Sequence, residues 1–244
     1  MNPPQPGPAR FQPASDQSLL VYFGRAIAPE FSECVLKLLR LIESEPLPAV
    51  RNLHPAYASL LIKFDPLKAT HAEMEAALRP YLDRLDAVPL PQPRTIEVPV
   101  CYGDDFGPDL AELAALHNLT PQQTIETHAS ALYSVCFLGF VPGFAYLAGL
   151  PDALATPRLS TPRRAVPIGS VGIAGHQTGV YPCSTPGGWR LIGRTPMRMF
   201  DAHRPELSLL NIGDHVGFRP ISRDQFARIE REEGIERNSR RARE

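Results

Sequence analysis

The chain has 244 residues, 43% of them hydrophobic and 21% charged, and a formal net charge of -1. That length suits one large or two small domains, the apolar share can bury a core, and the near-neutral balance excludes the global basic field that draws proteins to nucleic acid. No apolar run approaches the roughly 18 residues that a membrane span needs. Five prolines among residues 1–18 occupy the place of the apolar core of a secretory leader. No membrane contact, no nucleic acid and a cytoplasmic location are therefore expected. Cys34, Cys101, Cys136 and Cys183 stand far apart, with no CxxC pair and no His at metal-ligand spacing, which fits a reducing compartment and no metal bound by this chain.

Residues 1–17, rich in Pro, Gln and Ser, are expected to form a disordered arm. An α/β N-terminal domain is predicted over 18–88. It opens with a strand at Leu19–Phe23. A helix follows from Pro29, with Phe31, Val35, Leu38, Leu39 and Ile42 on one face. Strands at 50–53 and 57–64 come next. A second helix is announced by the Thr70/Glu73 capping box and carries Met74, Ala77, Leu78, Tyr81 and Leu82 inward. The order is βαββα. The segment DAVPLPQPR (86–94) is a stiff, extended connector between domains. The strand at Thr95–Val100 either completes a βαββαβ ferredoxin-like unit or opens the second domain, 95–226. Two short helices follow, the second with Thr120 as N-cap, Pro121 at N1 and Gln123 closing a capping box. From Ala131, short apolar runs cut by Gly and Pro predict a β-barrel or sandwich. Residues 227–244 read as a charged tail or a solvated helix end; from Arg228 to the end there are six Arg and five Glu.

There is no GxxxxGK[ST] phosphate loop, no GxSxG elbow and no HExxH helix. What stands out is Gly139–Pro196, which holds 18 of the chain's 44 glycines and prolines. From Gly139 to Phe200 it also carries six arginines, Arg158, Arg163, Arg164, Arg190, Arg194 and Arg198, against one acid, Asp152. The planar arginine fork suits carboxylate and phosphate oxygens, so a small anion is the inference; a structural ion pair is the equal alternative for any single arginine. Within residues 174–196, Gln177, Thr178, Tyr181, Trp189 and Arg194 supply donors and platforms, and glycines at 175, 179, 187 and 188 permit close backbone approach; the alternative is that these glycines only shape β-turns and Trp189 is a core residue. His176 is the better-placed acid/base candidate. His128, in the last turn of a helix, is expected to be structural.

The runs FLGFVPGFAYLAGLP (137–151) and PRLSTPRRAVPIGSVGIAGHQTGVYPCSTPGGWRLIGRTP (157–196) closely resemble the family of 5-oxoprolinase B subunits, also known as the KipI or allophanate hydrolase subunit 1 family, with carboxyltransferase subdomains C and D. The resemblance extends through VPVCYGDDFGPDL (98–110), FGRAIAPE (23–30) and HPAYASLLIKFDP (54–66). It implies an α+β fold, with a ferredoxin-like α/β N-terminal domain followed by a cyclophilin-like β-barrel. It implies one subunit of a hydrolase, inactive alone, that opens 5-oxo-L-proline to L-glutamate with a KipA-like C subunit as direct partner and an A subunit completing the enzyme. ATP, with Mg, would be the co-substrate of that complex, and the substrate a small carboxylate. The resemblance also carries an alternative, a regulatory module that inhibits histidine-kinase autophosphorylation. The candidate substrate or partner cleft comprises Phe140, Pro142, Gly143, Tyr146, Arg158, Gly175, His176, Gln177, Thr178, Tyr181, Gly187, Gly188, Trp189 and Arg194. Gln177, Tyr181 and Arg194 are its catalytic candidates. The family pattern leaves the position of His176 open, which weakens its case as an essential base.

Overall fold

The computed structural model describes residues 8–241, with side chains to residue 234. The chain divides into two compact units, Met1–Gln92 and Pro93–Glu244. The first contains β1 (Arg10–Ser15), β2 (Ser18–Tyr22), α1 (Pro29–Ser44), β3 (Val50–Pro55), β4 (Ser59–Phe64) and α2 (His71–Leu82). Its sheet has the order β1-β2-β4-β3 with every neighbouring pair antiparallel. Phe31, Val35, Leu38, Leu39 and Ile42 of α1 and Met74, Leu78 and Tyr81 of α2 are buried, as their helical spacing requires. The Thr70/Glu73 capping box closes reciprocally at the start of α2.

This order resolves the alternative left by the sequence. A ferredoxin-like sheet needs an outer strand beside its first strand, and β1 supplies it from the N-terminal side. Thr95–Tyr102 (β5) belongs to the second unit. The unit is a ferredoxin-like arrangement whose last strand has moved to the front. Residues 10–15 are thus ordered strand, against the disordered arm expected over 1–17; residues 1–7 of that arm lie outside the described residues. The physical reason is that β1 is an almost wholly exposed edge strand, so no apolar alternation marks it. Its register with β2 supplies the hydrogen bonds, and Arg79 lies 5.4 Å from the Phe11 ring centroid.

The second unit continues with α3 (Leu110–Leu116), α4 (Pro121–Ser130), β6 (Leu132–Leu138), β7 (Ala145–Ala148), β8 (Arg163–Val166), β9 (Ser170–Ala174), β10 (Gln177–Val180), β11 (Thr185–Gly187), β12 (Arg190–Arg194), β13 (His215–Pro220) and α5 (Arg223–Arg241). Seven strands, in the order β10-β7-β6-β13-β5-β12-β9, close into a barrel through the β9–β10 hairpin. Closure removes the exposed edges that short strands would otherwise present. The barrel core joins Val98, Val100, Tyr133, Val135, Leu147, Val171, Ile173, Ile192, Val216 and Phe218, and Leu110 and Leu113 of α3 pack with it. β8 and β11 form a separate two-stranded ribbon.

Of the two readings of the charged C-terminal segment, tail or solvated helix end, the helix is the one observed; residues 242–244 lie outside the described residues. α5 is helical to Arg241, and its Phe226 and Ile229 pack with Cys101, Ile221 and Phe106. Two apolar side chains spaced three residues apart anchor a helix whose remaining composition is mostly polar, a signal too sparse to decide between helix and tail in sequence.

Candidate functional site

The β6–β7 turn builds the mouth of a cleft in the second unit. Gly139 N–H donates to the Phe144 carbonyl (3.1 Å) and Phe144 N–H to the Val141 carbonyl (3.1 Å), which folds the turn tightly. Gly143 takes φ +80°, and a Cβ there would come 2.5 Å from Phe200 Cβ, so only glycine fits. Phe140 adopts φ +67° with a full side chain that is 60% exposed. A large aromatic residue held in the left-handed region and left in water is a conformation that functional sites tolerate and ordinary turns avoid.

Behind this turn the aromatic side chains converge. Phe144 makes edge contacts with Phe140 (5.6 Å between centroids), Tyr146 (4.9 Å), Tyr181 (5.3 Å) and Trp189 (5.4 Å). Phe144, Tyr181 and Trp189 form an apolar cluster with Val166, Ala174 and Leu191. The resulting cleft, about 260 Å³, is lined by Phe140, Phe144, Tyr146, Arg158, Pro162, Tyr181, Pro186, Gly187, Gly188 and Trp189. Gly187 matters sterically, because a Cβ there would stand 2.6 Å from the Tyr181 hydroxyl.

Burial raises the pKa of both the Tyr146 and the Tyr181 hydroxyl, and Arg158 pulls each in the opposite direction. Both phenols therefore stay protonated at neutral pH. The Tyr181 oxygen also accepts the backbone N–H of Trp189, which leaves its own O–H as a donor.

Of the fourteen residues in the expected cleft, the structure brings together Phe140, Tyr146, Arg158, Tyr181, Gly187, Gly188 and Trp189. The others stand elsewhere. Pro142 and Gly143 belong to the supporting turn. Gly175, at φ +56°, turns β9 into β10, and exposed His176 faces Asp152, Nδ1 to Oδ1 3.2 Å. Gln177 opens β10 opposite Ala174, and Thr178 is buried in the barrel wall. Arg194 donates from Nε to the Ile168 carbonyl (2.8 Å), with its guanidinium 5.8 Å from the Phe226 ring centroid. The three catalytic candidates do not converge: Tyr181 lines the cleft, whereas Gln177 and Arg194 do not. Gln177 starts β10, Tyr181 follows its last residue and Arg194 ends β12, so closeness in sequence hid their separation in space. Phe144 and Pro186 matched the family pattern without being assigned to the cleft; Pro162 carried no local signal.

The arginines divide equally clearly. Arg163 pairs with buried Asp109 (2.6 Å), Arg190 with Glu112 (2.8 Å) and Arg198 with Asp201 (4.0 Å). Asp109 additionally accepts the Leu191 N–H at 2.6 Å, which fastens the start of α3 to β12 beside the cleft. Among the described residues, Arg158, Arg164 and Arg194 have no carboxylate partner, and of the three only Arg158 lines the cleft.

His128 is wholly buried in a polar chain that crosses the barrel. Thr178 Oγ1 donates to the Gly172 carbonyl (3.0 Å) and so accepts from His128 Nε2–H (3.0 Å); Nδ1 in turn accepts from the Tyr102 hydroxyl (2.8 Å). Phe218 stacks on the ring at 4.6 Å. Desolvation pushes its pKa down to about 3. This imidazole is a neutral structural link. Among the described residues, no group of three or more His, Cys, Asp or Glu is placed to hold a metal ion, and no helix is long and apolar enough to cross a membrane.

Similarity to known proteins now bears on this geometry. The 5-oxoprolinase B subunit of Bacillus subtilis (strain 168) is 38% identical over 225 residues, 86% of this chain and 92% of that protein. The 5-oxoprolinase B subunit of Escherichia coli O157:H7 is 56% identical over 130 residues, 53% of this chain and 60% of that protein. The solved structure of TTHA0988 superposes with a TM-score of 0.73 at 33% identity, and covers 84% of this chain, which spans only 40% of TTHA0988. Residues 9–210 match the carboxyltransferase domain, subdomain C and D. The chain belongs to that carboxyltransferase subdomain C and D family.

Proposed function

We propose that the chain is the B subunit of an ATP-dependent 5-oxoprolinase and supplies part of a site that opens 5-oxo-L-proline to L-glutamate beside the C and A subunits. The observation that carries this reading is the cleft: an aromatic box, two protonated phenols and one arginine without an acidic partner, in a chain 38% identical to a 5-oxoprolinase B subunit along nearly its whole length. A volume of about 260 Å³ stands at the small end of ligand pockets and suits a single small ring bearing a carboxylate.

ATP does not fit the same cleft. The chain has no phosphate loop, and one arginine cannot neutralise a triphosphate. Nor do the described residues offer a carboxylate cluster for Mg. In this reading ATP and Mg are handled by the complex outside this cleft. A lactam is a poor electrophile, and the aromatic walls would hold the ring and exclude bulk water while tyrosine hydroxyls donate toward its carbonyl oxygen.

The test is reconstitution. Glutamate released per ATP consumed is measured for the chain alone, for the A and C subunits together, and for all three. Turnover is expected only from the complete mixture. Robust turnover by the lone chain, or none by the complete mixture, overturns the reading.

A further inference from the structure

Arg158 is an unusual combination of fixed backbone and uncommitted charge. Its segment is pinned on both sides: Gly175 N–H donates to the Thr156 carbonyl (2.7 Å), and Leu159 N–H donates to the Gly188 carbonyl (2.8 Å). Arg190 Nε reaches the intervening Pro157 carbonyl at 3.3 Å, and His117 Nε2 holds Thr156 Oγ1 at 2.7 Å. Four polar contacts thus immobilise three residues around an arginine that is itself exposed and has no acidic partner among the described residues. A structural arginine is usually consumed by a carboxylate, as Arg163 is by Asp109. A flexible surface arginine has no reason to be so anchored.

We infer that Arg158 is the specificity-determining residue of the cleft and takes the carboxylate of a small cyclic substrate in a charge-assisted contact, with the ring against Tyr146, Tyr181 and Trp189. This inference rests on the proposed 5-oxoprolinase reading for the identity of the ring but not for the anion chemistry. The guanidinium fork matches two carboxylate oxygens, and the aromatic box selects the flat remainder of the molecule. The pinned backbone removes the backbone share of the ordering cost on binding and leaves only the arginine side chain to be ordered.

Trp189, the chain's one tryptophan, lines the same cleft and reports occupancy. Its emission is titrated in the full-length chain with 5-oxo-L-proline, with 2-pyrrolidinone, which lacks the carboxylate, and with inorganic phosphate. In the complete three-subunit mixture, KM and kcat for 5-oxo-L-proline are measured separately. Arg158→Ala should weaken 5-oxo-L-proline roughly tenfold or more, as loss of one charged hydrogen-bonding group does, chiefly as a higher KM, and leave 2-pyrrolidinone unchanged. Arg158→Lys should recover part of the loss. Arg164→Ala, at an exposed arginine that does not line the cleft, should change neither. Unchanged KM in Arg158→Ala, an equal loss in Arg164→Ala, or phosphate competing as well as the carboxylate overturns the inference. If the mixture turns over with an unaltered KM in Arg158→Ala, the proposed function stands and the anchor falls. If no mixture turns over but 5-oxo-L-proline binds through Arg158, the anchor stands and the proposed function falls.

Discussion

His128 and Phe140 show two opposite costs carried by single residues. The imidazole of His128 is neutral in the folded barrel, with its pKa pushed down to about 3 from 6.5. The unfolded chain binds a proton there below pH 6.5 and the folded chain does not, so stability falls as pH drops from 6.5 towards 3. The slope is about 1.4 kcal/mol per pH unit, or about 2 kcal/mol between pH 7.5 and 5.0. Denaturant melts at those two pH values should show this loss, and His128→Gln, though less stable throughout, should lose about 2 kcal/mol less over the interval. An identical pH dependence in the variant would contradict a buried neutral imidazole. Phe140 instead spends backbone energy, at φ +67°. Phe140→Gly relieves that strain and gives up only a partly exposed ring. Its stability should stay within about 1 kcal/mol of the parent while ligand-dependent Trp189 emission weakens. A stability loss several times larger would mean that the ring is core packing.

Among the elements, α3 and β12 are joined through Asp109, which satisfies both Arg163 and the Leu191 N–H. Asp109→Ala should cost about 3 kcal/mol in a denaturant melt, because it leaves a buried N–H and a cation without their acceptor. A loss under about 1 kcal/mol would show that water replaces the carboxylate freely. Helices were the most legible elements. α1, α2 and α4 begin where their prolines and capping boxes place them, because these signals are local and satisfy backbone donors within a few residues. β1 was not legible: its edge position leaves RFQPAS without apolar alternation, and its pairing with β2 depends on the β2 hydrogen-bonding edge rather than on its own composition. The cleft was half legible. The dense Gly/Pro segment marked its neighbourhood, and aromatic residues of the right type were visible. Which end of each strand reaches the cleft depends on how the barrel is assembled, and that separated Gln177 at the start of β10 and Arg194 at the end of β12 from Tyr181.

At the scale of the molecule, two units with separate buried clusters carry different burdens. The first is a sheet whose outer strand precedes the rest of its fold, so removal of residues 1–17 exposes the hydrogen-bonding edge of β2 and should lower the melting temperature. The second is a closed barrel with its aromatic cleft beside a two-stranded ribbon. Removal of the chain from Arg223 onward uncovers Cys101 and Ile221 by withdrawing Phe226, and should destabilise that unit as well. The central claim is that 5-oxo-L-proline occupies this cleft in the working enzyme. A structure of the three-subunit mixture with 5-oxo-L-proline tests it most directly. The account predicts the ring between Tyr146, Tyr181 and Trp189 with its carboxylate on Arg158; the substrate seated elsewhere, with this cleft free of it, would contradict the account.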